Sequence, residues 1–500
     1  MASNFVYLPQ MSSLSSDSVP STMTVTEGVV FAALKSNTAS TDNNFLREYR
    51  NLVAANLSPL ANVTTVGDNF LSENFNLTAL DLTPLVHITG IGDHFLRDCR
   101  SLAALDLTPL DHVTMLGSYF LSRCVGLKAL DVSPLKCVTS IGRDFLSNCT
   151  TLLSLDLRPL SHVTTMGDYF ICGCGGLTML NLPSLFNVGD HFLRECNNLS
   201  ALDLTPLSNI TALGDYFLGL CCGLKGLDLT PLAHVTSIGD DFLRECGRLG
   251  SVDLSPFANV TRVGKGLLRQ CYSLHALDLS PFEHVTSLGC HFLRDCTALT
   301  AVDITPLHGV STIGRGFLWG CNGLKQLNLT AFGHIASLGD DFLRDCTRLH
   351  QLDLTPLVHI TSVGKGFLSR CSTLTGLDLA PLAHVQIGDH FLRGCTALTT
   401  LDLTPLAHIT SVENGFLSRC SALTALDLTP LAHTEVIGDD FLRECSLLKW
   451  LDLSPLAHVT SVGNGFLCGC AALTVLDLMP FVGLASIGNQ FLVRCRLLSS

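Results

Sequence analysis

Apolar and polar positions alternate over a short stretch, switch phase, and then do the same again 25 residues later. Leu277-Asp278-Leu279 is followed by Val302-Asp303-Ile304 and then by Leu327-Asn328-Leu329. Self-similarity at such a period is the mark of a solenoid, in which each unit buries its apolar face only against its neighbours. One full period runs from Cys296 to Cys321, and Leu299, Val302 and Ile304 give the inward side of a short strand, L-x-x-L-x-L. The strand triplet starts at 55, 80, 105, 130, 155, 180, 202, 227, 252, 277, 302, 327, 352, 377, 401, 426, 451 and 476. Every step is 25 except 180 to 202 and 377 to 401. Both deletions fall before an Ile/Val-Gly pair (Val188-Gly189, Ile387-Gly388). Length changes in repeats map to loops, so this segment is expected on the surface side and the triplet in the sheet.

Each unit reads in three pieces. The strand L-x-x-L-D-L comes first. A Thr/Ser-Pro turn follows (Thr108-Pro109, Ser255-Pro256, Thr355-Pro356), because proline lacks the N–H a central ladder needs. A return segment, H-V-T-S-I-G then F-L-R-x-C, brings Phe and Cys back to the core. The Gly before Phe (Gly92, Gly239, Gly364; Glu413 is the exception) suggests a backbone position with positive φ.

The run C-x-x-L-x-x-L-D-L-x-P-L-x-x-V-T-S-I-G-x-x-F-L-x-x-C resembles the BspA-like leucine-rich repeat over roughly residues 45–500. It differs in period and detail: the unit is longer, Phe-Leu replaces Ala-Phe, and Asp sits mid-strand. The resemblance implies adhesion or protein binding, as in bacterial surface proteins and large protist families. The expected architecture is an α/β-type repeat solenoid, a right-handed leucine-rich superhelix with a parallel β-sheet on its concave face. Residues 1–24 read as a disordered Ser-rich tail. Residues 25–54 read as an N-terminal cap, with a short helix over Val25 to Lys35, and a degenerate first repeat. Residues 55–500 form an array of about 18 units of 25 residues. The unit from Leu476 lacks a closing cap. Either the array continues in a longer chain, or its open edge pairs with another copy.

Bulk properties narrow the function. Formal net charge is -13, which argues against a nucleic-acid partner. Hydrophobic content of 47% is periodic, and no apolar run approaches the roughly 18–20 residues of a membrane span; Gly28 to Leu34 is among the longest. Of 22 cysteines, seventeen share one repeat position, from Cys99 to Cys495. They are expected to be an interior column of reduced thiols rather than disulfides. The N-terminus has no secretory pattern, which with the thiols favours the cytoplasm, whereas the resemblance points to the cell surface.

Three ladders carry candidate chemistry. The mid-strand Asp row should stack about 4.8 Å apart and so raise its own pKa values by repulsion; it offers an acidic stripe or merely solubility. His recurs three residues after the Pro but is replaced by Asn at 62, 209 and 259, which suits a turn hydrogen bond better than a metal. No residue set departs uniquely from the repeat as an active site would, so no catalytic residue, metal or cofactor is assigned. The expected function is a non-enzymatic protein-binding scaffold or adhesin. The alternative is a regulatory or substrate-recognition fragment of a larger signalling or enzymatic protein. Candidate partner-binding residues are the large outward side chains Trp450, Gln326, Gln351, Met179 and Arg158, with Asp303, Asp353, Asp378, Asp427 and Asp452 of the acidic row.

Overall fold

A computed structural model describes residues 29–31 and 39–498 of the chain, with side chains from 39 onward. The described residues fall into two compact blocks, the first ending at Val235 and the second beginning at Thr236, each built from the same unit. An extended L-x-x-L-D-L segment leads into a 3₁₀ turn, as at Thr108–Leu110 in the first block and Thr355–Leu357 in the second. A two-residue strand follows, such as Ser140–Ile141 or Ser362–Val363. A coil of tight turns around Phe and Cys then closes the unit; among the described residues no α-helix occurs.

The most regular ladder does not run through the leucine-aspartate triplet. In the first block it runs Thr65↔Gly90↔Met115↔Ser140, and in the second Ser411↔Val436↔Ser461↔Ser486, all parallel. This is the segment expected to be a surface loop. The triplet itself pairs at Ala54–Asn56 with Ala79–Leu80 and at Ser154–Asp156 with Met179–Asn181. In the second block it shows a bridge between Trp450 and Val475. The cause is local. Asp106 Oδ1 accepts the Thr108 N–H at 2.8 Å, and Leu107 between them sits at φ -92°, ψ 1°. Strand geometry therefore ends at the aspartate.

The two deletions fall in the connection to the return ladder. The shorter repeat at 377 keeps its 3₁₀ turn Ala380–Leu382 and the pairing Val363↔Ile387. In the repeat at 180, Met179–Asn181 is followed directly by Asn187–Val188, which still pairs with Thr165–Met166. A buried aliphatic side chain anchors most of the two-residue strands, as Val188 and Val363 do, so the connection absorbs the missing length.

Over Val25 to Lys35, where a helix is expected, Val29–Phe31 is instead a strand paired in parallel with Ala54–Asn56; the β-branched pair Val29-Val30 favours this. The rest of that stretch and the Ser-rich tail lie outside the described residues.

Phenylalanines form the spine of each block. In the first, Phe45, 70, 95, 120, 145, 170, 192 and 217 stack with centroids 5.3–5.7 Å apart. In the second, the stack from Phe292 to Phe491 spaces its rings 5.2–6.1 Å. At Leu267 the column is interrupted, and Phe242 packs edge-on against Phe257 at 5.7 Å.

The glycines before Phe have another cause than the one expected. Gly92, Gly239 and Gly364 all lie outside the left-handed region. They are needed for close approach: a Cβ on Gly117 would lie 2.4 Å from the Gly92 carbonyl carbon. Positive φ falls instead on alternate residues around Phe, as at His94 (61°), Leu96 (52°) and Asp98 (60°). A left-handed residue other than Gly costs about 1–2 kcal/mol. Inter-unit hydrogen bonds offset this. The left-handed residues point their N–H groups alternately to the two neighbouring units: His94 donates forward to the Ser118 carbonyl at 2.7 Å, Leu96 backward to Phe70 at 3.0 Å, and Asp98 forward to Ser122 at 2.8 Å.

Candidate functional site

The acidic row is built into the turns. Asp303, Asp353, Asp378, Asp427 and Asp452 each accept the N–H two residues on through Oδ1, at 2.8–2.9 Å. In most units the Thr or Ser hydroxyl donates to the same carboxylate, as Thr305 does to Asp303 at 2.7 Å. These bonds hold Asp353, Asp402, Asp427 and Asp452 below the ordinary carboxylate range, the hydroxyl contributing most. The expectation of raised values from mutual repulsion is therefore wrong in sign: a bond at under 3 Å outweighs like charges one ladder step away in water. The carboxylates remain exposed, so the row is a capping device that also lends the face negative charge.

The thiol column is a second device of this kind. In the first block Cys99, Cys124, Cys149, Cys174 and Cys221 donate Sγ–H to the Leu carbonyl 28 residues earlier, at 3.1–3.2 Å. Cys321, Cys346 and Cys371 do the same in the second, at 3.1–3.3 Å. Asn74 occupies the Cys position of an early repeat, and its Nδ2 reaches the equivalent Leu46 carbonyl at 2.8 Å. A donor is what this position requires. All the cysteines are free, and burial pushes Cys149, Cys296 and Cys371 up to about 12, so they are not nucleophiles.

Over these regular layers lie the residues that vary. In the second block Gln326, Gln351, Asp353 and Asp378 line one open groove of about 380 Å³, with Gly376 as its floor. The space over Gly376 is open, since a Cβ there would meet nothing within 4 Å. Gly376 escapes a search for large side chains, although its departure from the repeat marks it. Trp450 lies three repeats beyond Gly376, roughly 14 Å at one strand spacing per unit, with 59% of its surface exposed. It is bridged to Val475, itself 68% exposed. Asp427 and Asp452 flank it along the row, and Asp303 precedes the groove. The other two candidates belong to the first block. Met179 is 60% exposed beside Ser154. Arg158 grips Asp156 with Nε and Nη2 at 2.9 and 2.6 Å, so its charge is already paired.

A family model described as the BspA type leucine rich repeat region, in six copies, matches residues 32–153, 64–200, 139–275, 261–384 and 361–499. The chain belongs to the BspA-type leucine-rich repeat family. No curated protein sequence matches it significantly. Among solved structures it is similar to a leucine rich cell surface protein from Faecalibacterium prausnitzii, at 16% identity over 80% of this chain and 83% of that one, TM-score 0.36. It is similar also to the functional domain of InlJ from Listeria monocytogenes, described as including a cysteine ladder, at 18% identity over 81% and 68%, TM-score 0.35. A leucine-rich repeat protein from Bacteroides ovatus shares 18% identity over 85% and 78%, TM-score 0.29.

In this BspA-type array two of the recurrent histidines bond to backbone, while His112 and His284 lie 3.7 Å from Asp111 and Glu283. His334 Nε2 lies 2.8 Å from the Val310 carbonyl, and His408 Nε2 lies 3.1 Å from Val385. Among the described residues no His, Cys, Asp or Glu group is arranged to hold a metal, and no helix is long and apolar enough to cross a membrane. Residues after Gly form a further ladder that the repeat pattern alone did not single out. Asp68 Oδ1 takes the Asp93 N–H at 2.9 Å and Asp439 Oδ1 takes that of Asn464 at 2.6 Å.

Proposed function

We propose that this protein is a non-enzymatic binding scaffold, an adhesin in the broad sense, whose partner is a protein docked on the face that carries the Asp row. Trp450 carries the reading. A tryptophan held 59% exposed leaves most of its ring in water, and Trp is among the residue types enriched at interface hot spots. The groove of Gln326, Gln351, Asp353, Asp378 and Gly376 supplies polar complementarity along the same block, and the acidic row favours a partner with a basic patch. Recurrence of Asp, His and Cys on ladders supports the absence of catalysis, since each already serves a turn or an inter-unit bond. The test is photo-crosslinking from position 450 in the native source, followed by affinity measurement with the captured protein. Trp450→Ala should weaken binding by at least about tenfold, the threshold of an ordinary hot spot. Unchanged affinity would remove Trp450 as the anchor.

A further inference from the structure

The return edge of the second block carries an arginine at the position two before Cys in six repeats, Arg244, Arg269, Arg294, Arg344, Arg393 and Arg443, with Trp319, Ser369, Ser418, Cys468 and Val493 at the same position in the others. Four of these guanidinium groups are matched by local acids. Arg244 pairs with Glu245 at 2.8 Å and Asp241 at 3.7 Å. Arg344 pairs with Asp341 at 2.8 Å and Asp345 at 3.4 Å, and Arg443 with Asp440 at 2.8 Å and Glu444 at 3.5 Å. Arg294 bonds Asp295 at 3.2 Å and lies 3.7 Å over the ring of Trp319. Arg393 has no acid but reaches His390 Nδ1 at 3.4 Å.

Arg269 lacks local acids as Arg393 does, and it lacks the histidine contact of Arg393 as well. The two positions that supply acids elsewhere, three before and one after, are here Gly266 and Gln270. No hydrogen bond or ion pair joins the Arg269 side chain to any described residue; its buried, unbonded Nε is shared with Arg244, Arg344 and Arg443, whose other guanidinium nitrogens are paired. The neighbouring Gln270 Oε1 and His291 Nδ1 are buried and unbonded as well. Burial lowers the basicity of Arg269, and the flanking Arg244 and Arg294, one repeat away on each side, lower it further, while Asp241 and Asp295 of those repeats offset only part of this. A half-buried cation between two others, with its usual counter-ion deleted, is an arrangement that an added anion stabilises.

We propose that Arg269, flanked by Arg244 and Arg294, is an oxyanion-binding site that takes a carboxylate-sized group in place of the missing acid. The guanidinium fork suits a planar or tetrahedral oxyanion held by two parallel N–H bonds. The site lies in a different segment of the repeat from Trp450 and does not depend on the docking face.

The test is isothermal titration of the full chain, in chloride buffer at constant ionic strength, with sodium sulfate and separately with a hexaglutamate peptide. Saturable binding is expected, with Arg269→Gln weakening it at least about tenfold, or 1.4 kcal/mol. Gln270→Glu rebuilds the pair seen at Arg244 and Glu245. It should abolish binding while keeping or raising the thermal midpoint, which separates loss of the site from loss of the fold. Tighter binding of hexaglutamate identifies an acidic chain as the source of the group, and tighter binding of sulfate a free oxyanion. No saturable binding of either probe to the unmodified protein, or binding that survives both substitutions, overturns the proposal.

Discussion

Replacing Cys321 decides whether the thiol column is packing or hydrogen bonding. Its Sγ donates at 3.1 Å to the Leu293 carbonyl, which also accepts the Cys296 N–H at 3.3 Å, and the side chain is fully buried. Cys321→Ala removes one buried apolar heavy atom, about 1 kcal/mol, and one net hydrogen bond, about 1 kcal/mol. The sum is about 2 kcal/mol. Cys321→Ser keeps the donor, buries a more polar atom that has an acceptor waiting, and should lose about 1 kcal/mol. If packing alone mattered, the order would reverse, because an unsatisfied buried hydroxyl is worse than a methyl. Long arrays unfold by neighbouring units and not as one body, so the appropriate assay is native-state hydrogen exchange across residues 293–321. A loss of 2 kcal/mol corresponds to roughly thirtyfold faster exchange where opening is local. Faster exchange in the Ser variant than in the Ala variant would refute the donor role that Asn74 suggests.

Thiol titration should count 22 cysteines in denaturant. In the native protein Cys222 should react first, Cys137, Cys290 and Cys495 should follow, and the buried remainder should stay unreactive; rapid loss of the whole set, or oxidation in pairs, would contradict the burial. The Asp row sets an acid limit. Because folded pKa values at Asp353, Asp402, Asp427 and Asp452 are lowered, their stabilisation is complete above the unfolded value of about 3.9 and disappears as pH falls through the lower folded values. Acid titration followed by circular dichroism should show falling stability below about pH 4, with Asp→Asn variants along the row less pH-sensitive; a stability gain on acidification would restore the repulsion argument. Two glycines should respond in opposite ways. Gly117→Ala meets Gly92 backbone at 2.4 Å and should lose about 1–3 kcal/mol, whereas Gly376→Ala enters open space and should be neutral or gain up to about 1 kcal/mol in thermal or urea unfolding.

The period, the inward Leu, Phe and Cys positions and the solenoid class were all legible in the chain itself. Stacking one unit on the next forces the same residue type to return at the same phase, and that constraint is written directly into the spacing. What lies between units was not legible. Both the L-D-L and the T-S-I segments alternate inward and outward, and only the tertiary structure showed that the Asp cap bends the first out of the ladder and leaves the second as the more regular one. A recurrent glycine is compatible with positive φ or with close approach, and the 2.4 Å contact above Gly92 selects the latter. Spacing placed the carboxylates one repeat apart but could not weigh that against the hydroxyl two residues on, so the sign of their shift came out reversed. The groove over Gly376 and the unmatched Arg269 are departures visible as single letters. What each departure means depends on which side chains the neighbouring units bring beside it, and that is a property of the stack.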